Sequence, residues 1–265
     1  MPGLATTRRT LVFCAAALVM LAGACAGGTG AGPARATPLV LVVGATGGTG
    51  REVVRLALAR GYAVRAFVRD EAKARTLFGD RVGYVVGDVR DTAALPAAVA
   101  GADYIVSALG SNSRRDPTNR PEVIDFGAVK ALAEAARAAD VRHFVLVSSM
   151  GVTDPDHILN RMFDNVLLWK KQGEDAVRAS GVPYTIVRPG GLRDGPAGEG
   201  GVQVMQGDPK MPGPVARAAL AAILVAALGR RDALSKTFEV VGDPDGSPPD
   251  WDHFFAALQA DGSRP

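Results

Sequence analysis

This 265-residue chain contains few cysteines, tyrosines and histidines, and its net charge is small. Its two cysteines, Cys14 and Cys25, both precede residue 26, so the rest of the chain can form no disulfide, thiol nucleophile or cysteine-ligated zinc site. The net charge is only +3, and two of the basic residues, Arg8 and Arg9, stand in a stretch without acidic residues. A nearly neutral body excludes the clustered basic surface of a nucleic-acid-binding protein. Apolar residues make up 48% of the chain, which is enough for a buried core.

Residues 1–24 have the order of an export signal. Arg8 and Arg9 form a short positive region, residues 11–21 are an apolar run, and small residues lead to Cys25. At about 1.5 Å per residue the run is too short for a hydrocarbon core of about 30 Å. The order therefore predicts export across a bacterial cytoplasmic membrane, and the paired arginines resemble the twin-arginine signal.

The end of this segment leaves two interpretations open. The sequence Ala-Gly-Ala-Cys ending at Cys25 resembles a lipobox, whose acylated cysteine would anchor the protein on the outer face of the membrane, but it also fits an ordinary cleavage site. A start codon assigned too far upstream of a cytoplasmic protein is the alternative to export. Residues 25–37, rich in glycine and alanine, are predicted to be a flexible tether, and residues 38–262 to be the folded domain.

Beyond the tether, short apolar runs alternate with helical stretches. Near-continuous apolar strands separated by helices are typical of a parallel sheet covered on both faces. The sequence therefore predicts an α/β fold with a doubly wound parallel sheet and a small C-terminal lobe. Strands are predicted at residues 39–43, 63–68, 82–86, 104–108, 142–148, 184–188, 202–205 and 238–241, and helices at 51–60, 71–78, 91–99, 122–139, 159–180, 215–228 and 251–259.

A glycine motif, GATGGTG, begins where the first predicted strand ends and leads into a helix. In that context Gly44 permits a tight turn, Gly47 lets backbone N–H groups approach a pyrophosphate, and Gly50 allows the helix to pack closely on the strand. The phosphates would lie at the positive end of the helix. The motif predicts an NAD(P)-binding Rossmann fold with the lobe on the substrate side. The predicted phosphate-loop residues are Gly44, Thr46, Gly47, Gly48, Thr49 and Gly50.

Charged residues follow the second and third predicted strands. Arg69 favours NADP because an arginine there can pair with a 2′-phosphate, whereas Asp70, one residue later, keeps NAD open. A solvated surface charge is the alternative for Arg69. Asp88 can accept a hydrogen bond from the adenine amino group or cap the following helix. The other predicted cofactor contacts are Val89, Ala108 and Pro189.

Three later motifs carry a family resemblance: VLVSSMGVTDPDH at 145–157, VLLWKKQGE at 166–174 and SGVPYTIVRPGGL at 180–192. Together with the glycine motif they resemble the atypical short-chain dehydrogenase/reductase family, in its NAD(P)H-binding branch of plant-chloroplast-type and bacterial proteins. The resemblance covers residues from about 39 to 260. It implies dinucleotide binding and leaves the substrate and the oligomeric state open.

The family's catalysis uses a Tyr-x-x-x-Lys pair on one helix face and a nearby serine, and the lysine lowers the tyrosine pKa and holds the nicotinamide ribose. The resemblance places the lysine at Lys170 and the serine at Ser149, with Ser148 as the alternative. The tyrosine position is Val166, which has no proton to give. We therefore expect hydride transfer from NADPH to a small acceptor, such as a flavin, quinone or conjugated tetrapyrrole, without the tyrosine relay. The alternative is a non-catalytic protein that binds NADP(H) for structure or redox sensing.

Four further residues have roles that the sequence leaves undecided. His157 could supply a proton or merely cap its loop. An asparagine that relatives often carry on the preceding helix matches Ala131, and relatives often carry an arginine at Gly48 that supports NADP. Lys170 could instead lie on a solvated helix face paired with Glu174 at i,i+4.

Overall fold

Strands and helices alternate along the chain as the sequence predicts. The computed structural model describes Gly3 and residues 37–195, 201–210 and 213–262. Within them the strands are β1 (Leu39–Val43), β2 (Ala63–Val68), β3 (Gly83–Val86), β4 (Tyr104–Ser107), β5 (His143–Val147), β6 (Tyr184–Pro189), β7 (Gly191–Arg193), β8 (Gly201–Met205), β9 (Pro214–Ala216) and β10 (Lys236–Asp243). The helices are α1 (Gly48–Ala59), α2 (Glu71–Phe78), α3 (Leu95–Val99), α4 (Val129–Ala138), α5 (Ile158–Met162), α6 (Val166–Ser180) and α7 (Arg217–Ala227), and a π-helical segment, Glu122–Ala128, leads into α4.

One eight-stranded sheet, in the order β3-β2-β1-β4-β5-β6-β10-β8, holds most of these strands. Its strands are parallel except β8, which runs antiparallel to β10. Every side chain of β1 is buried, because a parallel sheet covered on both faces leaves no strand side in water. The predicted α/β Rossmann fold is confirmed. The chain runs outward from β1 through β2 to β3 and then crosses back to β4 on the other side of β1. Ligands of such sheets bind at this switch point between β1 and β4, outside the carboxyl ends of the strands.

Two helical layers cover the sheet. Helices α1 and α7 pack on one face, and α3, α4 and α6 pack on the other. Strands β8 and β10 bring the C-terminal part of the chain into the same sheet, and the short pair of β7 and β9 lies beyond the end of β6. The C-terminal segments therefore border the carboxyl edge, where the site lies.

The prediction of a single helix over residues 159–180 is wrong, because the structure has two helices there, α5 and α6, with a non-helical segment between them. Asp164 and Asn165 have φ angles of 50° and 59°, a left-handed backbone that stops a helix. The buried Asn160 side chain then starts α6 afresh, since its Oδ1 accepts hydrogen bonds from the Leu167 N–H at 2.9 Å and the Leu168 N–H at 3.3 Å. The break fixes where α6 begins, and with it the position of Val166.

The helix predicted at residues 251–259 is also wrong. This segment forms successive turns, tied by bonds such as Phe254 N–H to the Asp250 carbonyl at 2.8 Å. Its apolar side chains still reach the core: Phe255 is fully buried and packs edge-on against Phe238 of β10. Packing of Trp251 and its phenylalanine neighbours therefore holds the segment without a regular helix.

The predicted export signal at residues 1–24 and the tether at 25–37 fall almost entirely outside the described residues. The twin-arginine signal and the Cys25 anchor stay predictions. Among the residues that the structure does describe, no helix is both long and apolar enough to cross a bilayer.

Candidate functional site

The turn from β1 into α1 is so tight that two of its glycines, Gly44 and Gly50, have no substitute. Gly44 has a φ of +82°, and a Cβ there would lie 2.5 Å from the Ala108 carbonyl oxygen. A Cβ on Gly50 would overlap the Gly44 carbonyl oxygen. The Gly47 N–H closes the turn by donating to the same oxygen at 3.0 Å. The loop thus lies against the end of β4 and aims the start of α1 at the switch point.

The start of α1 presents an anion site. Its N-cap, Gly47, has no side chain that could accept the first N–H groups of the helix, and the first turn holds no acidic residue. A Cβ on Gly47 would meet only the Gly44 carbonyl oxygen, at 3.2 Å, so ligand atoms can approach this backbone closely. Unpaired N–H groups and the helix dipole favour negative charge at such a position. A dinucleotide pyrophosphate fits this loop, and the residues that would hold it are Thr46, Gly47, Gly48 and Thr49.

A cleft of about 210 Å³ extends from this loop across the ends of β2 and β3. It contains seven of the residues that the sequence predicts for the cofactor: Gly44, Thr46, Gly47, Arg69, Asp88, Val89 and Ala108. The other five predicted residues lie outside this cleft. Thr49 and Gly50 are buried, Gly48 lies next to the Arg217 side chain, Lys170 lines a small separate cavity, and Pro189 lines a second cleft.

Ion pairs line the outer wall of this cleft. We call the cleft the adenine side. Arg90 Nη2 lies 2.5 Å from Asp88 Oδ2, and this bonding holds the pKa of Asp88 below its usual value. Asp116 accepts from Arg90 at 3.3 Å and faces Arg69 at 3.9 Å. Asp70 instead caps α2, accepting the Lys73 N–H at 2.9 Å.

The structure shows which of these acidic residues caps a helix. Asp70 turns its carboxylate to a helix end, which is the behaviour of an N-cap residue. The predicted helix-cap role of Asp88 is wrong, because Asp91 accepts the Ala93 N–H that opens the next helical turn.

Lys170 is fixed by a partner that sequence analysis did not find. Its Nζ lies 2.7 Å from Asp125 Oδ1, and the two side chains are 16% and 1% exposed. Asp125 also accepts the Ser111 N–H at 3.3 Å. Ala131, which the resemblance matched to the family's asparagine, lies one to two turns further along, on α4.

Gly173 makes this ion pair possible. A Cβ there would overlap the Asp125 carbonyl oxygen, so only glycine lets α6 approach the π-helical segment this closely. π-helical turns re-aim side chains and are frequent at functional sites. Glu174 is not the partner of Lys170. It is fully buried and binds Arg188, with distances of 2.8 and 2.6 Å to Nε and Nη2, while Lys171 pairs with Asp175 at 2.6 Å.

The two candidate serines face different spaces. Ser149 lines the second, larger cleft, and its Oγ donates to the Met150 carbonyl at 3.0 Å. Ser148 is buried beside Lys170 and Asp125, and its Oγ finds no hydrogen-bond partner among the described residues. The structure thus brings Ser148, rather than Ser149, into one small cavity with Lys170.

No tyrosine replaces the missing one at Val166. All four tyrosines of the chain lie in the described residues, at or next to the amino ends of strands: Tyr62, Tyr84, Tyr104 and Tyr184. Tyr184, for example, donates to Asp261 at 3.0 Å, and burial raises its pKa to about 12. The tyrosines therefore lie at the amino ends of the strands, whereas the glycine loop lies at their carboxyl ends.

The second cleft, which we call the acceptor side, has a volume of about 840 Å³ and lies beyond the ends of β5 and β6. Asp208 shapes it by accepting the Gly151 N–H at 2.6 Å and the Thr153 N–H at 2.8 Å. His157 caps α5, and its Nδ1 accepts the Leu159 N–H at 3.2 Å. Nδ1 is therefore the acceptor, so the proton of a neutral ring is on Nε2, which lies close to Gly151.

Sequence analysis missed three residues that shape these clefts: Arg90, Asp125 and Asp208. The Asp-x-Arg spacing of Asp88 and Arg90 could have indicated the first. Asp125 and Asp208 carry no local signal, because each is joined to its partner across 45 or more residues.

A Rossmann sheet with a glycine-rich phosphate loop at its switch point defines a dinucleotide-binding protein. The comparison with known proteins agrees: residues 44–231 match the profile of the NAD(P)H-binding family. The chain belongs to this family, within the atypical short-chain dehydrogenase/reductase group.

Individual relatives cover most of both chains. An uncharacterized chloroplastic protein of Arabidopsis thaliana is 35% identical over 84% of this chain and 83% of its own. A sanguinarine reductase of Eschscholzia californica is 32% identical over 78% of this chain and 90% of its own. Among solved structures, an anaerobillin reductase from Escherichia coli O157:H7 superposes with a TM-score of 0.66 and 27% identity, covering 80% of this chain and all of that chain.

Proposed function

We propose that this protein is an NADPH-dependent reductase that transfers hydride to a small conjugated acceptor without a tyrosine relay. The observation that carries the proposal is the acceptor side itself. A cleft of about 840 Å³ opens beside Ser149 and Pro189, and all four tyrosines of the chain lie at the opposite, amino ends of the strands. Relatives named as reductases support the reaction class.

When bound, the reduced nicotinamide supplies the hydride. The chain's own residues bind the cofactor and orient it toward the acceptor. Lys170, held by Asp125, is the donor available to a ribose hydroxyl, as the family resemblance implies. The acceptor gains one hydride and one proton in total, so NADPH, a proton and the acceptor give NADP⁺ and the reduced acceptor. A conjugated acceptor spreads the charge after hydride arrival, so its proton can come from water.

NADP is the proposed cofactor, with NAD as the alternative. Arg69 lines the adenine side and is only loosely paired, 3.9 Å from Asp116, so its guanidinium can turn to a 2′-phosphate. Asp70, the residue that would favour NAD, caps α2 instead.

A second candidate, a non-catalytic NADP(H)-binding protein, rests on the same lysine. The 2.7 Å bond to Asp125 gives the Lys170 ammonium a structural partner, and Val166 gives no proton. The two candidates differ in whether NADPH is consumed.

The test follows NADPH absorbance at 340 nm with a panel of quinones, flavins and conjugated tetrapyrroles. We expect oxidation with at least one acceptor, and at least a tenfold loss of kcat for Lys170→Met. Lys171→Met is the matched control, because that side chain pairs with Asp175 on the helix surface. Flat absorbance with every acceptor, in protein that binds NADPH, would reject turnover and leave the non-catalytic role.

We also propose export of the protein, because Arg8 and Arg9 precede an apolar run. Replacing both arginines by lysine should abolish twin-arginine export in a bacterial host, and unchanged export would contradict that route.

A further inference from the structure

An arginine from another helix occupies the space above the glycine loop. A Cβ on Gly48 would lie 2.6 Å from Nε and 2.7 Å from Cδ of Arg217. Gly48 is the first residue of α1 and its φ is not in the left-handed region. Its backbone therefore does not require glycine. A side chain at this position would instead meet the Arg217 side chain, which would have to move.

Arg217 reaches this position because two helices begin at the same edge of the sheet. It is the first residue of α7, directly after β9, and α7 packs along α1. Neither helix has an acidic residue in its first turn. The guanidinium thus adds a full positive charge to the partial charges of two helix starts, at the place where α1 offers unpaired N–H groups.

The carboxylate that binds Arg217 is an exchangeable partner. Asp194 Oδ1 lies 2.9 Å from Arg217 Nη1, and the two side chains are 85% and 26% exposed. An ion pair with so exposed a carboxylate is weak, since water and salt screen it. A phosphate diester at the start of α1 would meet a planar donor that suits its oxygens.

We propose that Arg217 is a binding residue for the cofactor's pyrophosphate, and that Asp194 competes with the pyrophosphate for its guanidinium. The proposal rests on the proposed function, because it requires an NAD(P)H ligand on the glycine loop. It assigns Arg217 to the part that NADPH and NADH share, whereas Arg69 lies on the adenine side. The absence of a side chain at Gly48 leaves room for the Arg217 side chain.

The test measures dissociation constants of NADPH and NADH for the full chain, by nucleotide fluorescence. Arg217→Ala should raise both constants about tenfold and flatten their salt dependence. Asp194→Ala should lower both constants by a few-fold, because it removes the competitor. Arg55→Ala is the control: it also removes a positive charge from the α1 region, where Arg55 pairs with Glu52 on the surface, and it should change neither constant.

Opposite signs distinguish a ligand residue from a structural ion pair. If both Arg217→Ala and Asp194→Ala weaken binding, the pair is structural and the proposal is overturned. If Arg217→Ala weakens only NADPH, the residue reads the 2′-phosphate and the assignment is wrong. Wild type that binds both nucleotides, together with unchanged constants for a folded Arg217→Ala variant, contradicts this proposal alone. Wild type that binds neither contradicts the proposed function as well.

Discussion

The two sides of the cleft handle charge in opposite ways. On the adenine side, Arg69 and Asp116 are exposed and loosely paired. On the acceptor side, Lys170 and Asp125 form a close, nearly buried pair. Behind it, Arg188 of β6 is buried between two glutamates of α6 and β10, and lies 2.9 Å from Glu239.

The difference separates charges that bind ligands from charges that hold the scaffold. Exposed pairs contribute about 0–1 kcal/mol each, so a ligand phosphate can replace the carboxylate. A buried charge that loses its partner costs several kcal/mol, so the buried pairs fix the geometry of α6 and β6. The adenine side is adaptable, and the acceptor side is rigid.

The largest effect should come from breaking the buried network. Glu174→Ala leaves Arg188 without its bidentate partner, and we expect the free energy of unfolding to fall by about 3–5 kcal/mol, measured with guanidinium chloride. Asp116→Ala is the matched change on the adenine side and should leave the free energy of unfolding nearly unchanged, because water and salt screen an exposed pair. Similar losses for the two variants would remove the contrast between the two sides.

Acid should weaken the scaffold through a second buried group, His143, at the start of β5. Its Nε2 bonds Thr185 Oγ1 at 2.8 Å, its Nδ1 accepts the Gly229 N–H at 3.3 Å, and Thr185 donates its own proton to the Ala233 carbonyl. Both ring nitrogens are thus committed to the neutral form. Burial lowers the pKa of His143 from 6.5 to about 4.

Between pH 6.5 and about 4 the unfolded state therefore binds a proton at His143 that the folded state does not bind. The contribution of His143 to the free energy of unfolding is fully present above pH 6.5. It falls by about 3 kcal/mol as the pH drops toward 4. NMR titration of the imidazoles checks it directly, with the exposed His253 as the internal control. A His143 ring that protonates near pH 6.5 in the folded protein would contradict the assignment.

The smallest expected effect concerns specificity on the adenine side. Arg69→Ala removes the cation proposed for the 2′-phosphate, so NADPH affinity should fall about tenfold while NADH affinity stays unchanged. Parallel titrations of both nucleotides measure this. Equal losses for the two would place Arg69 outside 2′-phosphate recognition.

The same contrast explains how much the sequence could predict. The glycine loop and the strand ends follow from local patterns, because Gly44 and Gly50 are demanded by backbone geometry within a few residues. The acceptor side depends on contacts between distant residues: Asp125 meets Lys170 through a π-helical segment and a close approach at Gly173, and neither has a periodic signature. The break before α6 likewise depends on Asn160, whose side chain caps the start of α6. A helical period in the sequence does not reveal such a contact.

The measurement that tests the account most directly is thermal unfolding of the full chain with NADPH and with NADH. A ligand at 100 times its dissociation constant adds about 2.7 kcal/mol to the stability of the folded state. The account predicts a clear rise in Tm with NADPH and a smaller one with NADH at the same concentration. An unchanged Tm with both nucleotides, in protein free of bound nucleotide, would show that the glycine loop binds no dinucleotide and would contradict the central claim.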